Sequence, residues 1–190
     1  MNQESSNPLE AWTDKSLADL MDHIVERHHT FCRQEVARLA SLFKEAIAMH
    51  GKDHPELKRM EALFSAMARD LQMHLVKEEG TLFPYIARLE EAVRQNAVVN
   101  WPPFGTVENP IRMMVMEHDQ TGHELKEIGR LSNIYTLPSN APVDLAALFH
   151  ALSAFEQDMR EHIHAEDDLL FPRAAAMEQQ ACARRKPAAG

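Results

Sequence analysis

Two stretches of this sequence pair an imidazole with a carboxylate at the same spacing. His74 is followed by Glu78 at i+4, and His162 by Glu166. Each pair has a second acid at i+5, Glu79 or Asp167, and then Leu82-Phe83-Pro84 or Leu170-Phe171-Pro172. Another histidine leads each pair: His29 lies 45 residues before His74, and His118 lies 44 before His162. One His-x3-Glu arises easily by chance. Two of them, with the same trailing motif and the same leading histidine, mark an internal duplication. Residues i and i+4 share a helix face about 6 Å apart, so each pair can aim a ring nitrogen and a carboxylate oxygen at one point. The chemistry available to such a set is metal coordination.

The elements that must position these residues are helical. Four long segments carry 3.6-residue periodicity. The first runs from about Ser16, a plausible cap with Asp19, to His50 before Gly51; the second from Asp53-His54-Pro55 to about Gln95. The third runs from Asn109-Pro110 to about Asn133, and the fourth from Pro142 and Asp144 to about Glu178. Mostly short connections between four helices imply an all-α, antiparallel up-down-up-down four-helix bundle, here built from two repeated helical hairpins. The bundle is expected over 16–178, with an N-terminal tail over 1–15 and a disordered C-terminal tail over 179–190. Pro84 and Pro172 each remove a backbone donor; the sequence leaves open whether they kink or end their helices.

The apolar stripes pass through the chemistry-bearing residues. The first contains Met21, Val25, His29, Cys32, Val36, Leu39 and Phe43; the second Met67, Leu71, His74, Glu78, Leu82 and Tyr85. The third contains Ile111, Met114, His118, Gly122 and Leu125; the fourth Leu148, Leu152, Phe155, Met159, His162, Glu166 and Leu169. Four histidines and two glutamates are thus expected to face one core. A buried ionised carboxylate costs several kcal/mol unless it is paired or bound to metal. Four imidazoles with two carboxylates suit iron, and less specifically manganese or zinc. Two metals satisfy the count well if both glutamates bridge and an oxo or hydroxo group joins the metals, with one position on each left open.

The sequence has 11 histidines, and most are expected to be incidental. His23, His28, His50, His54, His123 and His150 fall off the stripes or at helix ends, and His164 faces away from His162. Cys32 is read as a small core residue and the methionines as core filler. Glu79, Asp167, Glu117 and Asp119 flank the ligand candidates, and some are expected to accept from the imidazole N–H groups.

Composition excludes several classes. Acidic residues number 29 and basic residues 20, a net charge of −9, which argues against nucleic-acid binding. No stretch reaches 18 consecutive apolar residues, so no membrane span is expected. The N-terminus has no secretory pattern, and two cysteines make no disulfide framework, so a cytoplasmic setting is expected.

The pattern resembles the hemerythrin-like (HHE cation-binding) di-iron bundle, and within it the bacterial iron–sulfur cluster repair proteins. The matching pieces are Arg27-His28-His29, the His74–Pro84 and His162–Pro172 motifs, and Pro110-Ile111 with Glu117-His118-Asp119 and Gly122. They span roughly residues 17–178. The resemblance implies His29, His74, Glu78, His118, His162 and Glu166 as ligands of two iron ions in an oxo- or hydroxo-bridged centre, the same set the stripes select. Oxygen carriers of this family resemble a five-histidine site with His-x3-His on the third helix. Here the fourth residue after His118 is Gly122, which favours reactive chemistry over reversible oxygen transport. Those carriers also use His-x4-Asp on the last helix, an offset that Asp167 occupies; Glu166 is preferred because Glu78 is its counterpart in the repeat. Full-length repair proteins resemble this chain plus an amino-terminal module with paired cysteines. About 16 residues precede the bundle here, none of them Cys, a departure from that pattern that counts against a repair role needing those thiols. A ferritin-like alternative needs Glu-x-x-His on two helices, and only Glu26-x-x-His29 fits.

The expected function is binding or reaction with nitric oxide or oxygen species, in nitrosative and oxidative stress or in iron–sulfur cluster repair. The expected partners are a small diatomic ligand and, beyond it, iron–sulfur proteins or an electron donor. The alternatives are a sensor of oxygen, nitric oxide or iron without catalysis, a metal store, and a helical interaction protein with purely structural His–Glu pairs.

Overall fold

Ser16 opens the first helix: its hydroxyl accepts the Asp19 backbone N–H at 3.0 Å. The Glu90 carboxylate, reaching across from the second rod, accepts the next two amides, Leu17 at 2.7 Å and Ala18 at 2.9 Å. A carboxylate on free N–H groups also complements the positive end of the helix dipole. The computed structural model describes residues 10–137 and 141–185, and its seven α-helices assemble into four rods. The first joins α1 (Leu17–His23) to α2 (Thr30–His50), and the second joins α3 (Glu56–Lys77) to α4 (Phe83–Arg94). The third is α5 (Glu108–Leu131), and the fourth joins α6 (Val143–Ala165) to α7 (Phe171–Arg185). Gly51 ends the first rod. A Cβ there would lie 2.5 Å from the Ile47 carbonyl oxygen, so the stop needs glycine.

Three rods carry a π-helical turn, at Ile24–His29, Glu78–Leu82 and Glu166–Leu170. Each closes with an i→i−5 bond, from Thr30 to Val25, Phe83 to Glu78, and Phe171 to Glu166. A π turn holds one residue more than an α turn, so it moves the buried stripe by one position. The expected stripes are corrected where they cross it. Ile24 is buried and Val25 only half-buried; Leu170 is buried and Leu169 half-buried. The turn at Ile24–His29 also brings both His28 and His29 inward. Pro84 and Pro172 lie two residues past the ends of π turns, and their helices continue through them.

The last helix also departs from expectation. It extends through 179–185, a stretch expected to be disordered, and Ala181 is buried. Residues 186–190, and the N-terminal tail up to residue 9, lie outside the described residues. On α5 the inward positions are Met114, His118, Thr121, Leu125 and Ile128, so Thr121 and not Gly122 continues the stripe. Gly122 is exposed, because one helical turn of 3.6 residues lands between i+3 and i+4. Met21, Met60, Met67, Met114 and Met159 are core residues as expected, but Met49, Met73, Met113 and Met116 are exposed.

The core is two hydrophobic layers. One holds Phe43, Phe64 and Phe155 with Leu39, Met67, Leu71 and Leu152, among α2, α3, α5 and α6. The other holds Leu20, Ile24, Leu82, Ile86, Met114, Leu170 and Ala174, at the α1, α4 and α7 end. That end is closed by Glu178, which is buried and accepts from the Val107 N–H (3.0 Å) and the Tyr85 hydroxyl. Among the described residues no helix is long and apolar enough to cross a membrane.

Candidate metal centre

Between the two hydrophobic layers lies a layer of six buried polar side chains: His29, His74, Glu78, His118, His162 and Glu166. His74 lies in the last turn of α3 and His162 in that of α6, and Glu78 and Glu166, one turn on, open the π turns that follow. His29 closes the π turn of the first rod, and His118 sits mid-way along α5.

The six residues form two groups that share their carboxylates. One is His29, His162, Glu78 and Glu166; the other is His74, His118, Glu78 and Glu166; in each, the ligand-type atoms lie within 4.8 Å of one another. Glu78 presents Oε2 to His29 Nε2 (3.4 Å) and Oε1 to His74 Nε2 (3.3 Å). Glu166 presents Oε1 to His162 Nε2 (3.1 Å) and Oε2 to His118 Nε2 (3.2 Å). Each carboxylate therefore gives one oxygen to each group. Glu166 is the inward acid and Asp167 lies behind His118.

The ring orientations are set from outside. Glu79 bonds His29 Nδ1 at 2.7 Å, Glu117 bonds His74 Nδ1 at 2.8 Å, and Asp167 bonds His118 Nδ1 at 2.9 Å. Carboxylates accept, so these three Nδ1 atoms carry a proton, and in its neutral form each ring has its lone pair inward at Nε2. Asp119, the fourth acid considered for this role, is exposed, and its carbonyl bonds His123. Facing Nε2 atoms are 3.2 Å apart between His29 and His162 and 3.1 Å apart between His118 and His74. Two lone pairs at that distance repel unless a proton or a cation lies between them. All four oxygens of Glu78 and Glu166 are buried without a hydrogen-bond partner. Each of these two carboxylates costs several kcal/mol as a bare buried anion. The donor set fits cations, one between each histidine pair.

Without metal, the surrounding carboxylates favour the protonated form of His29, His118 and His74. Burial pushes the His29 imidazole down, but the negative charge of the nearby Glu166 and Glu78 carboxylates outweighs it and raises its pKa to about 10. His118 is likewise held at about 10, by Asp167 and Glu166 against burial, and His74 is raised by Glu78. Burial acts against the Glu166 charge, yet His162, His118 and His29 hold its carboxyl well below the usual range.

The remaining histidines sort as expected, with one exception. His50 pairs with Asp144 and His54 with Glu56, and His164 is exposed and pairs with Asp168. His28 is buried: its Nδ1 bonds Asp158 Oδ1 at 3.1 Å, and its ring stacks on His162 with centroids 5.5 Å apart and planes 3° apart. Sequence reasoning missed the His28–Asp158 pair. Its signal was Asp158, an acid one helical turn before His162 and so on the same helix face. Cys32 belongs to the hydrophobic layer, where burial pushes its thiol up to about 12, so it offers no thiolate. No disulfide joins it to Cys182.

α5 and α6 meet sparsely, and a groove of about 350 Å³ runs along their seam past Gly122, Lys126 and Ile163 to His118 and Asp167. A Cβ at Gly122 would meet nothing within 4 Å. Gly122→Ala is therefore expected to stabilise the bundle by about 0.5–1 kcal/mol through helix propensity alone. Urea denaturation of the two proteins checks this; a loss of stability would show that the groove takes no added methyl.

A four-helix bundle with six inward His and Glu side chains defines a cation-binding helical protein. The chain belongs to the hemerythrin HHE cation-binding family, whose domain matches residues 20–174. It is 31% identical over 170 residues to the probable iron-sulfur cluster repair protein of Haemophilus influenzae, covering 90% of this chain and 70% of that one. It is also 31% identical over 173 residues to the iron-sulfur cluster repair protein YtfE of Yersinia pseudotuberculosis, covering 90% and 72%.

Proposed function

We propose that the protein is a cytoplasmic, non-haem di-iron protein that binds nitric oxide or oxygen species. Its role lies in nitrosative and oxidative stress or in iron–sulfur cluster repair. One observation carries the metal centre: four carboxylate oxygens, buried and without partners, face four imidazoles across two shared points. Mixed imidazole and carboxylate donors favour iron among the metals this set accepts. Both relatives carry the name of cluster repair, which supports that role for this chain.

His29, His74, His118 and His162 would hold the metals, with Glu78 and Glu166 offering one oxygen to each of the two groups. Bound iron supplies Lewis-acid and one-electron redox chemistry toward a diatomic ligand. Glu79, Glu117 and Asp167 fix the tautomer and orientation of three rings. The hydrophobic layers on either side exclude water, and the α5–α6 groove gives a small ligand an approach beside His118. Iron–sulfur proteins or an electron donor are the further partners this reading needs.

The test is metal analysis with an optical spectrum of protein produced with iron supplied, followed by nitric oxide added to the reduced protein. About two irons per chain, ligand-to-iron bands in the near ultraviolet and a changed spectrum with nitric oxide are expected. Protein that holds no metal, with stability unchanged by chelator, would overturn the reading.

A further inference from the structure

The two halves of the duplication match in their ligands and in the acid behind each leading histidine, but differ behind the second histidine of each half. His29 pairs with His118, His74 with His162, Glu78 with Glu166, and Glu79 with Asp167. Glu79 backs His29, and Asp167 backs His118 in the same way. Glu117, the residue before His118, backs His74, with Lys77 bonded to its other oxygen. The matching residue before His29 should back His162, but position 28 holds a histidine. His28 lies flat on the His162 ring and spends its Nδ1 on Asp158, which Arg27 also holds at 3.0 Å. The counterpart of Lys77 is Ala165, which carries no charge. Among the described residues, His162 Nδ1 is accordingly buried with no hydrogen-bond partner.

We propose that the two metal positions are unequal. The one between His74 and His118 binds first and holds its metal, and the one between His29 and His162 is the labile one, because His28 stands where its twin position has a carboxylate. This rests on the two-metal reading above. A carboxylate behind an imidazole fixes the ring and strengthens the nitrogen that faces the metal, and its loss typically costs about 10–100-fold in affinity. Both rings of one position have that support, and only one ring of the other does. A labile metal beside a retained one suits a protein that hands metal on.

The experiment uses cobalt(II) as the probe, added stepwise to the metal-free full chain under anaerobic conditions. At one equivalent, the hyperfine-shifted, exchangeable Nδ1–H resonances are expected from His74 and His118. A chelator competing against the filled protein is expected to remove the second ion at about 10–100-fold lower chelator activity than the first. His28→Glu restores the missing carboxylate and should narrow that gap about tenfold or more. Glu117→Gln should weaken the other position and spread the first equivalent over both. Two cobalt ions bound with the first equivalent shared evenly in the unsubstituted protein would overturn the proposal. A gap that neither variant moves, with folding checked by circular dichroism, overturns it too. In both cases the two-metal reading stands. Uptake of one ion or none overturns that reading instead.

Discussion

Replacing Glu166 with alanine is expected to empty both metal positions. Its two oxygens serve different groups, Oε1 toward His162 and Oε2 toward His118, so one truncation removes a donor from each. It also removes the anion that faces His29, His118 and His162, leaving buried imidazoles without their counter-charge. The loss should exceed the roughly 10–100-fold that follows when only the acceptor behind a ligand is removed. Glu78→Ala should match it, since Glu78 straddles the same two groups. Asp167→Ala provides the contrast: Asp167 touches His118 Nδ1 only, so its loss should weaken one position and leave the other. Metal content after dialysis, with chelator competition on the retained fraction, measures all three. Metal loss confined to Asp167→Ala would make Asp167 the bridge.

The second large effect is on stability as pH changes. The metal-free protein should be most stable between about pH 4.5 and 6.5 and weaken towards pH 10. His29 and His118 are held near 10 against an ordinary 6.5. A raised pKa contributes stability that is full below the unfolded value and is lost as pH climbs through the folded one. Glu166 is depressed below 4.5, so its contribution is present above that value and is lost on acidification. These are two views of one buried charge cluster. The change amounts to several kcal/mol, since a tenfold difference in proton affinity between folded and unfolded chains corresponds to about 1.4 kcal/mol. Metal inverts the alkaline limb: it displaces the imidazole protons, so its affinity rises with pH and loaded protein should hold its stability where metal-free protein fails. Urea denaturation at about pH 5.5, 7.5 and 9.5, with and without metal, reads both limbs. A metal-free protein equally stable at all three would mean that the rings are neutral throughout.

Much of this centre can be read from residue types and register. The His-x3-Glu repeat selects His74, Glu78, His162 and Glu166, because i+4 spacing fixes their shared face whatever surrounds the helix. The stripes add His29 and His118, because a polar residue in an apolar row must be inside. Four acids flank the ligand candidates in the sequence; Glu79, Glu117 and Asp167 back rings and Asp119 does not, a division that proximity along the chain does not make.

What periodicity could not supply was phase. A 3.6-residue rule assumes an unbroken α-helix, and three π turns each insert a residue. That shift exchanges Val25 for Ile24 and Leu169 for Leu170, and turns His28 inward beside His29. Whether a turn is α or π depends on which packing satisfies the side chains around it, and the chain alone does not contain that packing. The same holds for Pro84 and Pro172. A preceding i→i−5 bond lets their helices continue, a long-range compromise hidden in the local sequence. It also holds for the end of α7, where burial of Ala181 sustains a helix through 179–185. By itself, then, the sequence determined the fold class, the duplicated hairpin and six inward ligand candidates, since these follow from local spacing and the cost of burying charge. The tertiary structure alone decided how each glutamate divides its oxygens between two groups. It alone placed His28 over His162 where the other half has a carboxylate, since only packing between rods sets which side chains meet.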